Sequence, residues 1–202
     1  MSNGAKSVID EFRDRHTGQD FVVCGLGPSI VSLAPYLAGH LTVGVNDIGK
    51  HFTPNYLVIQ DYPSAFLRER RKTIERTAAD CAFLAFDFPN LQAKHILHVK
   101  LKNKGGSDFG KDGWFSYSTT SVYLATCIAA FLGARRIALA GVDFDGLGRA
   151  YRESYVECMN RSFLKLRVSF AQQGISLFTM NKSRKFNTLP YVDPIDFLDG
   201  DQ

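Results

Sequence analysis

The sequence predicts a single α/β domain with a mostly parallel sheet and helices on both faces. Three observations predict it. Short apolar runs alternate with helical patterns along the chain, the arrangement in which crossover helices connect parallel strands. The runs are continuously apolar, as strands covered on both faces require. Glycine-rich or polar residues follow the runs, at the edge where open α/β sheets bind ligands. A length of 202 residues suits one domain, and 45% hydrophobic residues suffice for a core.

Residues 6–15 form an amphipathic helical pattern with Val8, Ile9 and Phe12 on one face. "DFVVCG" reads as the first buried strand, and "PSIVSLAPYLAG" as a helix with Pro28 in its first turn and Gly39 at its end. "LTVGVN" and "NYLVIQD" are the second and third strands, and "SAFLRERRKTIERTA" is a basic amphipathic helix. "CAFLAF" and "HILHVKL" are further strands. "KNKGGSDFGKDGWFSY" has no period, and its glycines and lysines predict a mobile loop over residues 103–113, able to close on an anion as a lid. "TTSVYLATCIAAFLGA" is an apolar helix and "RRIALAGVDF" the strand after it. Residues 154–173 are a long helix, "GISLFTM" is the last strand, and the tail carries at most one short helix. The whole reads as one Rossmann-like domain over residues 1–202.

Bulk properties exclude several classes. A formal charge of +4 is too mild for a dedicated nucleic-acid binder, though it suits an anionic ligand. Cys24, Cys81, Cys127 and Cys158 form no C-x-x-C pair and have no nearby His, so neither a disulfide framework nor a zinc site is expected. The first residues lack an apolar signal core, and no apolar run reaches membrane-span length. A reduced, cytoplasmic setting is the expectation, and self-association is compatible with it.

The strand ends hold the candidate site. Gly25, Leu26, Gly27, Pro28 and Ser29 join strand to helix, where glycines let a phosphate approach and a helix N-terminus favours anions. Ile30 stands where a full G-x-G-x-x-G would have its third glycine, and a tight turn alone accounts equally well for the stretch. Asn46 and Asp47 end the second strand, suited to a ribose or base and equally to a turn or N-cap. Asp61 follows the third strand, and Asp143 and Asp145 follow "AGV". Carboxylates at one sheet edge supply a base or hold Mg²⁺ with substrate phosphates, while each alone is also an ordinary loop cap. Asp61 is the first choice for chemistry, as a base or, in a Mg²⁺-dependent reaction, as the metal ligand; Asp143 is the second. Thr119, Thr120 and Ser121 open the apolar helix as caps or phosphate contacts. Arg68, Arg70, Arg71, Lys72 and Arg76 read as a solvated helix face. His51, near the second strand's end, draws attention among the histidines.

Taken in order, "CGLGPSI", "GVNDIGKHFTPNYLVIQD", "TSVYLATCIAAFLGARRIALAGVDF" and "LFTMNKSRKFNTLP" resemble the MptE-like superfamily, which includes 6-hydroxymethylpterin diphosphokinases. They are also similar to the bacterial sialyltransferases that use CMP-sialic acid. The resemblance covers about residues 20–192, and "LGARRIALAGVDF" is its most specific piece. The sialyltransferase resemblance implies that Gly25 to Ser29, Asn46, Asp61, Thr120 and Ser121 surround a nucleotide. It also implies a phosphate contact from Tyr151, with Asp145 replacing a second tyrosine of the pattern. Those enzymes use a late His as base, and this chain has no His beyond His98. The diphosphokinase resemblance implies ATP, Mg²⁺ and pyrophosphoryl transfer, with Asp47, Asp61 and Asp143 fitting a metal-assisted reaction. Three expectations follow: a transferase using a sugar nucleotide in surface-glycan metabolism, with a small-molecule or glycan acceptor; a Mg-ATP diphosphokinase; or a nucleotide-binding protein without catalysis.

Overall fold

The computed structural model describes residues 8–144 and 152–200. In chain order, β1 (Asp20–Cys24), β2 (Leu41–Val45), β3 (Tyr56–Ile59), β4 (Cys81–Leu84) and β5 (His95–His98) are followed by β6 (Lys100–Lys102), β7 (Phe109–Lys111) and β8 (Trp114–Ser116), then by β9 (Arg136–Ala140) and β10 (Ser176–Thr179). The α-helices are α1 (Ile30–Leu33), α2 (Arg68–Arg76), α3 (Ser121–Phe131), α4 (Glu153–Ala171) and α5 (Pro194–Asp199). Seven strands form one sheet in the order β10-β9-β1-β2-β3-β4-β5. Every pairing in it is parallel. The predicted α/β class, with its mostly parallel Rossmann-like sheet, is what the structure shows.

Side-chain alternation along the strands builds two cores. Phe21, Val23, Val58, Phe83 and Leu139 point to the face covered by α3 and α4, where Tyr123, Leu124, Phe163 and Leu166 pack. Val22, Cys24, Leu57, Leu84 and Ala140 point to the other face, against Ile30, Ile74 and Phe197 of α1, α2 and α5. All residues of α3 are buried, because a layer of its own covers the helix on the side away from the sheet. That layer is a small sheet in the order β6-β8-β7. The Phe115 and Phe131 rings meet edge to face at 5.3 Å. Gly110 has φ +87°, and a Cβ there would overlap the Phe131 ring.

Four expectations are corrected. The aperiodic stretch 102–117 contains β7 and β8, whose three-residue strands are too short to show a period. Within that stretch Tyr123 Oη donates to the Gly106 carbonyl at 2.5 Å, and Arg13 donates to the Gly110 carbonyl. The run 95–101 divides at Val99 into strands of two different sheets. The helix expected over 28–39 is a four-residue α1 followed by a 3₁₀ turn, Ala34–Tyr36, since Pro35 brings no N–H to an α-helical bond. Residues 8–12 form a 3₁₀ turn that buries Ile9 and Phe12 and leaves Val8 exposed. The four cysteines are free, as expected, and burial pushes the Cys81 thiol up to about 12. Among the described residues no helix is long and apolar enough to cross a membrane.

The chain steps outward from β1 to β5, then returns to lay β9 on the other side of β1. The loops leaving β1 and β9 therefore diverge and open a crevice at the carboxyl edge. The small sheet bears on stability: Phe115→Ala should lower the unfolding free energy by about 3–5 kcal/mol, as for a fully buried aromatic. Urea denaturation with an unchanged m-value checks it; a loosely attached lid would give a loss below about 1 kcal/mol.

Candidate active site

The two diverging loops touch before they part. Gly27 donates its N–H to the Gly141 carbonyl at 2.7 Å, and Gly25 donates to the Ala140 carbonyl at 2.8 Å. A Cβ on Gly25 would collide with the Gly141 oxygen, and Gly141 itself has φ +67°. Glycine is thus required on both sides of the contact. Asp143 clasps it. One carboxylate oxygen accepts the Ser29 N–H at 3.0 Å, and the other accepts from the Asn181 amide at 2.6 Å. The same amide donates to Ser29 Oγ, and Asn181 Oδ1 accepts the Val142 N–H at 3.4 Å. The Ile30 and Val31 N–H groups are satisfied by the Gly27 and Pro28 carbonyls at 3.1 and 3.2 Å. The corner expected to hold a phosphate on the first amides of α1 is therefore filled by an internal carboxylate. Asp143, expected as a second catalytic carboxylate, has both oxygens engaged in this clasp.

Beyond the clasp lies a cleft of about 1170 Å³ at the carboxyl edge. It brings together Leu26, Gly27, Pro28, Asn46, Asp47, Asp61, Thr120, Ser121 and Asp143 of the residues expected from sequence. Gly25 and Ser29 are not among its walls: they build the turn beneath. Asp145 and Tyr151 lie outside the described residues. None of residues 103–113 lines the cleft.

The wall between β2 and α3 is built on two amides. Asn46 takes φ +51°, a left-handed conformation that Asn tolerates better than most residues. Its Nδ2 donates to Ser121 Oγ at 3.4 Å, at the first turn of α3. Gln60, at the end of β3, donates through Nε2 to the Ser118 carbonyl at 2.8 Å. Asn46 Oδ1 and Gln60 Oε1 are both buried and have no hydrogen-bond partner. A buried acceptor without a donor costs free energy, so two on adjacent strands call for a ligand or water that donates.

Charge is arranged around these amides. Asp47 is 4% exposed, and one of its oxygens accepts from Arg70 Nη2 at 2.6 Å and Nε at 3.0 Å. Lys50 Nζ lies 3.8 Å from its other oxygen. Arg70 reaches Asp47 because α2 lies close on the 46–50 turn, where a Cβ on Gly49 would overlap Thr77 Oγ1. The reading of Arg70 as part of a solvated face is thus corrected. Lys50, His51, Arg70 and Arg152 all line the cleft. Burial and the neighbouring Lys50 lower the His51 pKa, so the ring is neutral at pH 7. Asp61 has an exposed side chain, yet the adjoining wall disfavours its charge and raises its pKa, with Arg70 pulling the other way.

The donor set does not fit a protein-built magnesium site. Among the described cleft residues Asp47 is committed to Arg70, Asp143 to Ser29 and Asn181, and Glu69 to Lys72, which leaves Asp61. Among the described residues no three of His, Cys, Asp or Glu converge. Sequence reasoning gave no site role to Gln60, Lys50, Arg70 and Arg152. Gln60 was legible as the residue closing an apolar run; the cations were not, since their contacts depend on how α2 and α4 dock.

No family model matches the chain, and no curated protein matches it. Solved structures do. The chain is similar to the sialyltransferase CstII from Campylobacter jejuni in complex with a substrate analogue, cytidine-5'-monophosphate, at 10% identity and a TM-score of 0.50, over 89% of this chain and 87% of that one. The same enzyme with CMP-3FNeuAc matches at 10% identity and a TM-score of 0.51, over 87% and 86% of the two chains. A mutant of the α-2,3/8-sialyltransferase CstII matches at 13% identity and a TM-score of 0.50, over 88% of each chain. At such identities the likeness is one of fold. It gives the MptE-like half of the sequence resemblance no counterpart.

The clasp generates a stability test. Asp143→Ala and Asn181→Ala should each cost about 1–3 kcal/mol, by leaving partly buried partners unpaired. The double variant should cost less than their sum, with a coupling of about 1 kcal/mol or more in a denaturation cycle. Additive losses would mean that the two side chains act separately.

Proposed function

We propose that the chain is a glycosyltransferase that binds a sugar nucleotide in this cleft and passes the sugar to a hydroxyl of a glycan or small-molecule acceptor. The strand-end amide of Asn46, which lines the cleft, carries the reading. Asn46 and Gln60 spend their donors on the entrance to α3 and leave two carbonyl oxygens without donors. Asn46 lines the cleft, so its Oδ1 is placed to accept from a ligand donor such as a ribose hydroxyl or the amino group of a base. Lys50 and Arg152 supply positive charge for the phosphate in the same cleft. The fold shared with enzymes solved with CMP and CMP-3FNeuAc favours a cytidine nucleotide as the donor.

In such a transfer the bond from the anomeric carbon to the phosphate oxygen breaks. A bond from that carbon to the acceptor oxygen forms, and the acceptor proton passes to a base. Asp61 takes that role, because it faces the cleft and its raised pKa makes it a stronger base than an ordinary carboxylate. The nucleotide departs with added negative charge, which Lys50 and Arg152 stabilise from fixed positions. Asp143 fixes the Gly27 turn through Ser29 and Asn181 and takes no proton in this scheme. The absence of a late His is then no obstacle, since a different strand end supplies the base.

Thermal shift against CMP, UDP, GDP and ATP, each with and without Mg²⁺, tests the donor. CMP without metal should stabilise most, by about 2.7 kcal/mol at a hundredfold excess over Kd. A preference for ATP with Mg²⁺ would replace this reading by a kinase one, and no response to any nucleotide would remove it. With a turnover assay in hand, Asp61→Asn should lower kcat at least about 100-fold while leaving nucleotide affinity unchanged. Activity needs ionised Asp61, so kcat/KM should fall as pH drops through a value above the ordinary carboxylate pKa of about 3.9.

A further inference from the structure

Following the carboxyl edge away from the crevice, the strand ends run from the β1–β9 clasp to Asn46 after β2, then Asp61 and Tyr62 after β3, then Phe86 after β4. Tyr62 and Phe86 make the one parallel ring stack among the described aromatic pairs, with centroids 3.6 Å apart and planes at 21°. The tyrosine is nevertheless 57% exposed. A side chain packed on one face and open on the other is unusual for a core contact. The stack lends little to either hydrophobic core, since neither ring is buried. It does fix the Tyr62 ring in place before any ligand arrives. Tyr62 directly follows Asp61, the carboxylate that lines the cleft.

We propose that the Tyr62–Phe86 stack is an acceptor subsite that receives the apolar face of a pyranose ring. The negative face of an aromatic ring attracts the outward C–H groups of a sugar, and a one-sided, preorganised platform suits a ring whose other face carries hydroxyls. Neither ring lines the cleft itself, but Tyr62 is the residue after Asp61, so a sugar held on it stands at the cleft's β3 end, beside the residue assigned to accept its proton. Two strand spacings, about 10 Å in all, separate the β1 turn from β3, room for the donor's nucleotide between the clasp and the acceptor. The acceptor role rests on the glycosyltransferase reading, but the binding of a sugar ring to Tyr62 does not depend on it.

Saturation-transfer NMR of the unmodified protein with methyl β-galactopyranoside and methyl β-glucopyranoside reads the subsite directly. At least one probe should show its strongest transfer on the C–H groups of a single ring face. The signal should persist in Tyr62→Phe and fall at least fivefold in Tyr62→Leu, which keeps apolar bulk but no ring. Because Tyr62 is exposed, both variants should melt at the wild-type temperature, and both should keep the wild-type thermal response to CMP. No transfer to either probe in the wild type, or equal transfer in Tyr62→Leu, overturns the proposal. So does loss of the CMP response in Tyr62→Leu, which would make the ring part of the nucleotide site. Absence of a CMP response in every form, with ring-dependent transfer intact, would instead sink the sugar-nucleotide reading and leave the sugar subsite standing.

Discussion

The geometry of this edge depends on one backbone contact, the approach of the β1 turn to the β9 turn at Gly25 and Gly141. A side chain at either position would push the loops apart and break the bond from the Gly27 N–H to the Gly141 carbonyl. Asp143 and Asn181 hold the contact closed by linking the β1, β9 and β10 loops through hydrogen bonds. With the turns so fixed, Gly27 and Pro28 can form one wall of the cleft and the α3 entrance another. The arrangement also sets the sign of the local field: a carboxylate already occupies the first turn of α1, so positive charge for an anionic ligand has to come from Lys50, Arg70 and Arg152 on other elements.

The α/β class and the strand ends were legible because they are local. A continuous apolar run followed by Gly, Asn, Gln or Asp marks a buried strand and its carboxyl end whatever happens elsewhere. Asn46, Asp61 and Ser121 could therefore be picked out singly and do reach one cleft. What the pattern could not show was pairing. Asp143 looks like Asp61 in sequence and both line the cleft, yet both oxygens of Asp143 are engaged in the clasp. The difference lies in Asn181, a residue from the far end of the sheet that sits within "LFTMNKSRKFNTLP" but was given no role there. Arg70 illustrates the same limit: its helix is amphipathic and basic, and only the close docking of α2 at Gly49 turns one arginine toward Asp47.

Short elements failed for a related reason. β7 and β8 have three residues each and lack a readable period, but Phe109 and Phe115 are the large apolar residues that cover α3. An all-apolar helix such as α3 needs a cover on every side, and the two flanking phenylalanines were the available signal. The expected long helix after β1 was shortened by Pro35, a residue whose effect on a helix interior follows from its missing N–H.

The return of β9 to β1 has a consequence for how the site comes into being. Asp20 pairs in register with Arg136, whereas β1 pairs with β2 across a connection of ordinary length. Closing so long a segment carries an entropic cost that local pairings avoid, and topologies rich in such pairings fold slowly. Half of the crevice therefore has to wait for the second half of the chain. During synthesis, the β1 edge that later forms the crevice floor is an unpaired strand edge. A ligand that bridges the β1 turn and the β9 loop binds only after that closure, so it acts as a brake on reopening of this long-range seam.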